Sequence, residues 1–261
     1  MSEAVVSAGW LADRLGDAHV LDVRDAWEYD GIGHVPGAVN VPFDSFRSAS
    51  AGEAGMLPGA DRFADLIAEA GVGSDDDVVA YDDTHGVFAA RLLVTAELYG
   101  HDPGRLHLLD GDFSSWKLQH PTDDDTPDPP AANYEAAFQR GGPLVELEAV
   151  EAAMDDSDTV LVDTREGWEF EEGHIPGSVR LDWRDLVDDE TRGLLSEPDL
   201  RGLLEDAGIT PDNRVLLYCN TARRISHTYT VLRHLEYPDL AFYEGSLTDW
   251  EAEGGDLETG A

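Results

Sequence analysis

Residues 20–43 read VLDVRDAWEYDGIGHVPGAVNVPF, and residues 160–183 read VLVDTREGWEFEEGHIPGSVRLDW. Asp22, Arg24, Trp27 and Glu28 fall opposite Asp163, Arg165, Trp168 and Glu169. After a slip of one residue, Gly33, His34, Pro36 and Gly37 fall opposite Gly173, His174, Pro176 and Gly177. The register continues outward. VVAYDDT, ending at Thr84, matches VLLYCNT, ending at Thr221, and Gly111 and Trp116 match Gly245 and Trp250. Order and spacing persist through both halves, so the chain reads as a duplicated domain.

Each copy alternates short apolar runs with helical spacing. Val20–Val23, Val78–Tyr81 and Leu106–Leu109 read as buried strands in the first copy, and Val160–Val162, Val215–Tyr218 and Leu240–Tyr243 in the second. Phe63, Leu66 and Ile67 mark a helix over 61–70 that stops at Gly71; its counterpart runs over 198–207 and stops at Gly208. Leu92, Leu93, Ala96 and Tyr99 give another helical face, matched by Val231, Leu232 and Leu235. Strand–helix–strand alternation with long crossovers implies an α/β fold, a parallel sheet flanked by helices in each copy. The stretch PTDDDTPDPPAAN and the following Gly-Gly-Pro mark an exposed connector. The expected organisation is a domain over 1–119, a linker over 120–143 and a second domain over 144–261.

The 261 residues carry 55 Asp and Glu against 17 Lys and Arg, a formal net charge of −38. Lys117 is the only lysine. Such a charge repels nucleic-acid phosphates and anionic lipid heads, so neither nucleic acid nor membrane is an expected partner. Near-absence of lysine beside so many acids resembles the proteins of salt-loving microbes, whose potassium-rich cytoplasm screens self-repulsion. No apolar run approaches the ~18 residues of a membrane span, and no secretory signal is visible at the N-terminus. One cysteine cannot form an intramolecular disulfide, which points to a reducing cytoplasm.

That cysteine, Cys219, directly follows the strand run VLLY and precedes NTARRIS and a helix from about Ile225 to Leu235. Strand, tight loop and helix N-terminus converge several N–H groups on the sulfur, and Arg223 and Arg224 add positive charge. Both effects favour the thiolate and pull it below the free value of about 8.5. An isolated cysteine is often a small buried hydrophobe. Here the matched residue of the first copy is Asp82. A core site rarely exchanges Cys for Asp, because an unpaired buried carboxylate is expensive. A functional loop that has lost its nucleophile in one copy accounts for the exchange.

The paired D-x-R motifs, the GHVPG and GHIPG motifs and the Cys219 loop together resemble the tandem-domain sulfurtransferases of the rhodanese family. The resemblance implies two tandem rhodanese-like domains, the first non-catalytic and the second catalytic, with Cys219 cycling between thiolate and persulfide. It implies a thiosulfate-type donor, a thiol or cyanide acceptor and no cofactor or metal. Mercaptopyruvate is the alternative donor, and a persulfide carrier serving a protein acceptor is the alternative role. Asn220, Thr221, Ala222, Arg223, Arg224 and Arg165 are the implied substrate-binding residues, Arg224 foremost because an arginine five after the cysteine is common in single-domain relatives. Arg165 also reads as half of a structural pair with Asp163.

The match departs from the family at three points, one being that the loop lacks the cysteine-glycine-serine-glycine pattern of mercaptopyruvate relatives. Ala222 stands where many family loops have glycine, which matters if that position needs a positive φ. Glu169, before Phe170, stands where two-domain thiosulfate enzymes often place an arginine. Phosphatases of a related fold put five residues between cysteine and arginine; here Cys219 and Arg224 are separated by four, a smaller cradle. His34 and His174 read as structural because the motif recurs in the copy lacking cysteine. His227 is a weak candidate for a base. Trp27, Trp168, Trp116 and Trp250 read as packing aromatics.

Overall fold

The computed structural model describes residues 3–48, 56–220 and 222–260. It divides into two compact units, one of Ser2–Gln139 with Asp189–Leu194, the other of Arg140–Asp188 with Leu195–Ala261.

The first unit is built on strands β1 (Val5–Val6), β2 (His19–Asp22), β3 (Val39–Asn40), β4 (Val78–Tyr81) and β5 (Leu106–Leu109). They form one sheet in the order β1-β5-β4-β2-β3, every pairing parallel. Helices α1 (Ala8–Ala12), α2 (Ala26–Ile32), α3 (Ala60–Glu69), α4 (Val87–Leu98) and α5 (Phe113–Gln119) supply the crossovers. β4 is buried along its whole length, and its side chains alternate between two cores. Val78 and Ala80 join Phe63 and Ile67 of α3 and Leu92 and Leu93 of α4. Val79 and Tyr81 join Leu11 of α1 and Phe113 and Trp116 of α5.

After α5 the chain stays on this unit. Trp116 Nε1 donates to the Pro121 carbonyl at 2.9 Å, Ala132 N to Ala68 O at 3.0 Å, and Gln139 N to Leu98 O at 2.8 Å. Tyr134 reaches into the core beside Phe63. Proline keeps this segment extended, while its amides pair with helix-end carbonyls that the helices leave open.

The second unit repeats the plan with β6 (Leu144–Val145), β7 (Thr159–Asp163), β8 (Val179–Arg180), β9 (Arg214–Tyr218) and β10 (Leu240–Tyr243), and with α6 (Leu147–Met154), α7 (Gly167–Glu172), α8 (Glu197–Asp206), α9 (Ala222–His234) and α10 (Ser246–Ala252). Its parallel sheet runs β6-β10-β9-β7-β8, so β9 takes the central place that β4 holds in the first. Leu216 and Tyr218 pack with Val150, Leu247 and Trp250 on one face.

The three strand runs expected in each copy are present, within a residue of their expected ends; the two-residue strands β1, β3, β6 and β8 are too short for any periodicity to reveal. The tryptophans divide. Trp116 and Trp250 are buried, but Trp27 and Trp168 are 66% and 61% exposed, which corrects their reading as packing aromatics. Each is the second residue of its helix and faces solvent, its indole N–H turned back onto the acid before the helix, Asp25 or Glu166. Tyr29 and Phe170 take the inward positions instead.

Candidate active site

The D-x-R motifs end β2 and β7 and are buried in both units. Arg165 Nε donates to Asp163 at 2.9 and 3.0 Å, and its NH2 group donates to Asp163 Oδ2 and to the Gly173 carbonyl, both at 2.6 Å. Arg24 holds Asp22 and the Gly33 carbonyl in the same way. Burial works against the charge on Arg165, but its hydrogen bonds and the Asp163 carboxylate outweigh it and hold the guanidinium above its ordinary value. Arg165 Nε and NH2 are thus engaged by the motif aspartate and by the turn that follows α7, as those of a structural cation would be. The strand-end tyrosines close the knot. Tyr81 donates to Asp22 and accepts from Val35 N at 3.1 Å, and the Tyr218 hydroxyl accepts from Ile175 N at 3.0 Å. Burial, then the nearby Asp163, pushes the Tyr218 phenol well up, so it stays protonated.

The histidines of the Gly-His-x-Pro-Gly turns are structural in both units. His34 stacks on Tyr29 with ring centroids 4.0 Å apart, and His174 on Phe170 at 3.7 Å. Each also forms an antiparallel bridge through its backbone, His34 with Asp123 and His174 with Glu258, pinning the segment that follows the unit's last helix.

What the strand–loop–helix turn does electrically is plainest in the first unit. Asp82, directly after the central β4, is buried with its carboxylate in the loop. One oxygen accepts from Thr84 N at 2.7 Å and Gly86 N at 2.8 Å; the other accepts from Phe88 N at 2.8 Å and Ala89 N at 3.0 Å. Four amides of the loop and of the first turn of α4 thus converge on one anion.

Cys219 takes the matching place after β9. It is a free thiol and fully buried, as a small core hydrophobe would be. The start of α10 closes on it: Ser246 Oγ accepts from Cys219 N at 3.3 Å, and Leu247 N donates to Cys219 O at 3.0 Å. Ser246 adopts a left-handed φ of 57° and is itself buried. Its counterpart in the first copy is Asp112. Nothing in the chemistry of Ser246 singles it out in the sequence; its one signal is its place after Gly245, the repeat partner of Gly111.

The remaining expected site residues lie on the same turn. Asn220 Nδ2 donates to Glu169 Oε1 at 3.0 Å, and Arg224 NH1 pairs with Glu169 Oε2. Glu169 is buried and Arg224 mostly so. Arg224 is thus not a bare cation facing a donor, because a carboxylate of α7 already holds it. Ala222 is the first residue of α9, a helical position where alanine is favoured, and glycine's conformational freedom is not required there. Arg223, half-buried, lies beside it in the first turn. Thr221 lies outside the described residues. His227 is buried on the same helix, edge-on to Trp183 at 5.4 Å.

The family model for the Rhodanese-like domain matches residues 7–119 and again 146–253. A thiosulfate sulfurtransferase of Corynebacterium glutamicum is 31% identical over 278 residues, spanning 95% of this chain and 87% of that one. A sulfur carrier protein, TtuD, of Thermus thermophilus is 29% identical over 279 residues, spanning 95% and 93%. A 3-mercaptopyruvate sulfotransferase of Escherichia coli shares the fold, with a TM-score of 0.81 at 23% identity over 93% of this chain and 98% of that one.

Proposed function

The chain belongs to the rhodanese family, and from that premise we propose that it is a thiosulfate sulfurtransferase working through a persulfide on Cys219. The thiolate attacks the sulfane sulfur of thiosulfate, the S–S bond of the donor breaks, and sulfite leaves with the bonding pair. The enzyme then carries Cys219–S–S⁻, and a thiol or cyanide removes the outer sulfur and restores the thiolate. This is covalent, two-stage catalysis. Asn220, Thr221, Ala222, Arg223 and Arg224 would hold the donor and the terminal sulfur anion, their amides acting as an oxyanion hole does.

The observation that carries the reading is the Asp82 carboxylate, gripped by four backbone amides in the first unit. Cys219 is the matching residue of the second copy, and amides so arranged would pull toward the thiolate against the burial of the sulfur. The first unit, its nucleophile replaced by an acid, would be non-catalytic. Because Cys219 is buried, donor access requires the side chains over it to move.

A carrier role is the second reading. It is favoured by the burial of Cys219 and by the pairing of Arg224 with Glu169, both of which would slow a small donor. In either role the acidic surface suits a salt-rich, reducing cytoplasm, and among the described residues no helix is long and apolar enough to cross a membrane.

Sulfite release from thiosulfate with cyanide as acceptor, measured in molar potassium chloride, tests the enzyme. Mass spectrometry should find one added sulfur on Cys219 after exposure to thiosulfate alone. Persulfide without turnover would favour the carrier, and activity surviving Cys219→Ser would end both readings.

A further inference from the structure

Helices α2 and α7 open with the same device. In each, the third helical residue is a glutamate, Glu28 or Glu169, whose carboxylate accepts from the backbone N–H three residues earlier, that of Asp25 or Glu166, at 3.2 Å. This capping box explains why both copies keep the residue. It does not explain what else Glu169 does. Glu28 is half-exposed, whereas Glu169 is buried and reaches past the end of β9 with both oxygens: Oε1 accepts from Asn220 Nδ2 at 3.0 Å, and Oε2 pairs with Arg224 of α9. Asn220 follows Cys219 directly, and Arg224 stands on the first turn of α9. The carboxylate therefore ties the residue after Cys219 to the first turn of α9.

The electrostatic consequence follows from the pairing. A free Arg224 would attract a doubly charged donor twice as strongly as a singly charged one. A carboxylate in direct contact cancels most of that field, and it does so in a buried setting where screening by salt is weak. We propose that Glu169 is a specificity-determining residue: by neutralising Arg224 it lowers the site's preference for the doubly charged thiosulfate relative to singly charged sulfane-sulfur donors such as thiosulfonates and thiol persulfides. The inference rests on the sulfurtransferase reading and refines its donor. The chemistry balances for either class. With thiosulfate, the Cys219 thiolate takes the outer sulfur and sulfite dianion departs. With methanethiosulfonate, the same S–S bond forms and methanesulfinate departs with the bonding pair and a single charge.

The experiment compares these two donors, which share one sulfane sulfur and differ in charge, by kcat/KM in molar potassium chloride. Glu169→Gln keeps an acceptor for the capping box while removing the charge. The thiosulfate-to-methanethiosulfonate ratio should rise about tenfold, the size expected for one partly screened charge. In an Arg224→Gln background the same change should leave the ratio within about twofold, since the cation to be released is gone. Arg224→Gln alone, which leaves Glu169 uncompensated, should lower the ratio below that of the wild type, and this arm serves if Glu169→Gln does not fold. A ratio unmoved by Glu169→Gln, or moved equally without Arg224, overturns the inference alone. Absence of turnover with both donors in the wild type, with no sulfur gained at Cys219, overturns the sulfurtransferase reading and this refinement with it.

Discussion

Arg192 closes on Asp112 with two guanidinium nitrogens, Nε at 2.9 and 2.8 Å from the carboxylate oxygens and NH2 at 2.6 Å. Asp112 is fully buried, and Arg192 holds a left-handed φ of 64° to make the contact. Arg192 belongs to the short segment Asp189–Leu194 that packs as part of the first unit. The hydrogen bonds that it donates to Asp112 hold the Arg192 guanidinium above its ordinary value despite partial burial. Asp112 is the repeat partner of Ser246, so a neutral residue in one copy corresponds to a charge requiring a partner in the other.

Arg192→Met leaves that carboxylate with backbone donors only. A loss of about 2 kcal/mol in denaturant unfolding is expected, less than the full cost of a buried orphan charge because the arginine is partly exposed. Adding Asp112→Asn should recover much of it. A double variant no more stable than Arg192→Met would show that the pair does not act as a unit.

Asp82 predicts a pH signature. Burial pushes its carboxyl above the usual 3.8, while the four amides pull the other way without overcoming it. A folded value above the unfolded one means that the native state binds more protons between the two, so this group's contribution to stability falls as pH rises through that window. Against Asp82→Asn, which cannot titrate, the wild type should lose relative stability from about pH 4 upward and level off once the raised value is passed. Denaturant midpoints over a pH series measure this, and a relative stability climbing with pH would contradict it.

Arg165 should prove structural in solution. Arg165→Met leaves Asp163 buried and uncompensated, a cost of about 3–5 kcal/mol. Arg165→Lys keeps the charge but not the two-pronged geometry, and should fall between. Urea unfolding of the two variants distinguishes this role from donor binding, because a donor-facing arginine would cost little stability when removed.

Salt should raise the melting temperature. With a net charge of −38, self-repulsion is severe in dilute buffer, and the screening length falls from about 10 Å at 0.1 M to about 3 Å at 1 M. A melting temperature that climbs steadily with potassium chloride is the expected result. Full stability without added salt would remove the case for adaptation to brine.

Repetition made the architecture legible in the sequence. Two copies of D-x-R and Gly-His-x-Pro-Gly, each followed by an apolar run, determined a duplicated α/β plan, the strand order of events along the chain and the position of Cys219 against Asp82. Those are properties of local pattern, since strand alternation, helix spacing and turn chemistry act between near neighbours. The Asp163–Arg165 pair, two residues apart, was legible in the motif, but tertiary structure alone decided the partner of Arg224. Arg165 and Arg224 both belong to the implied donor-binding set, yet one is locked to Asp163, two residues before it, and the other to Glu169, 55 residues away along the chain. It also decided that Cys219 is covered and that Trp168 is not. Charge pairing and burial depend on which distant surfaces the fold presses together, and a linear pattern carries no record of that geometry.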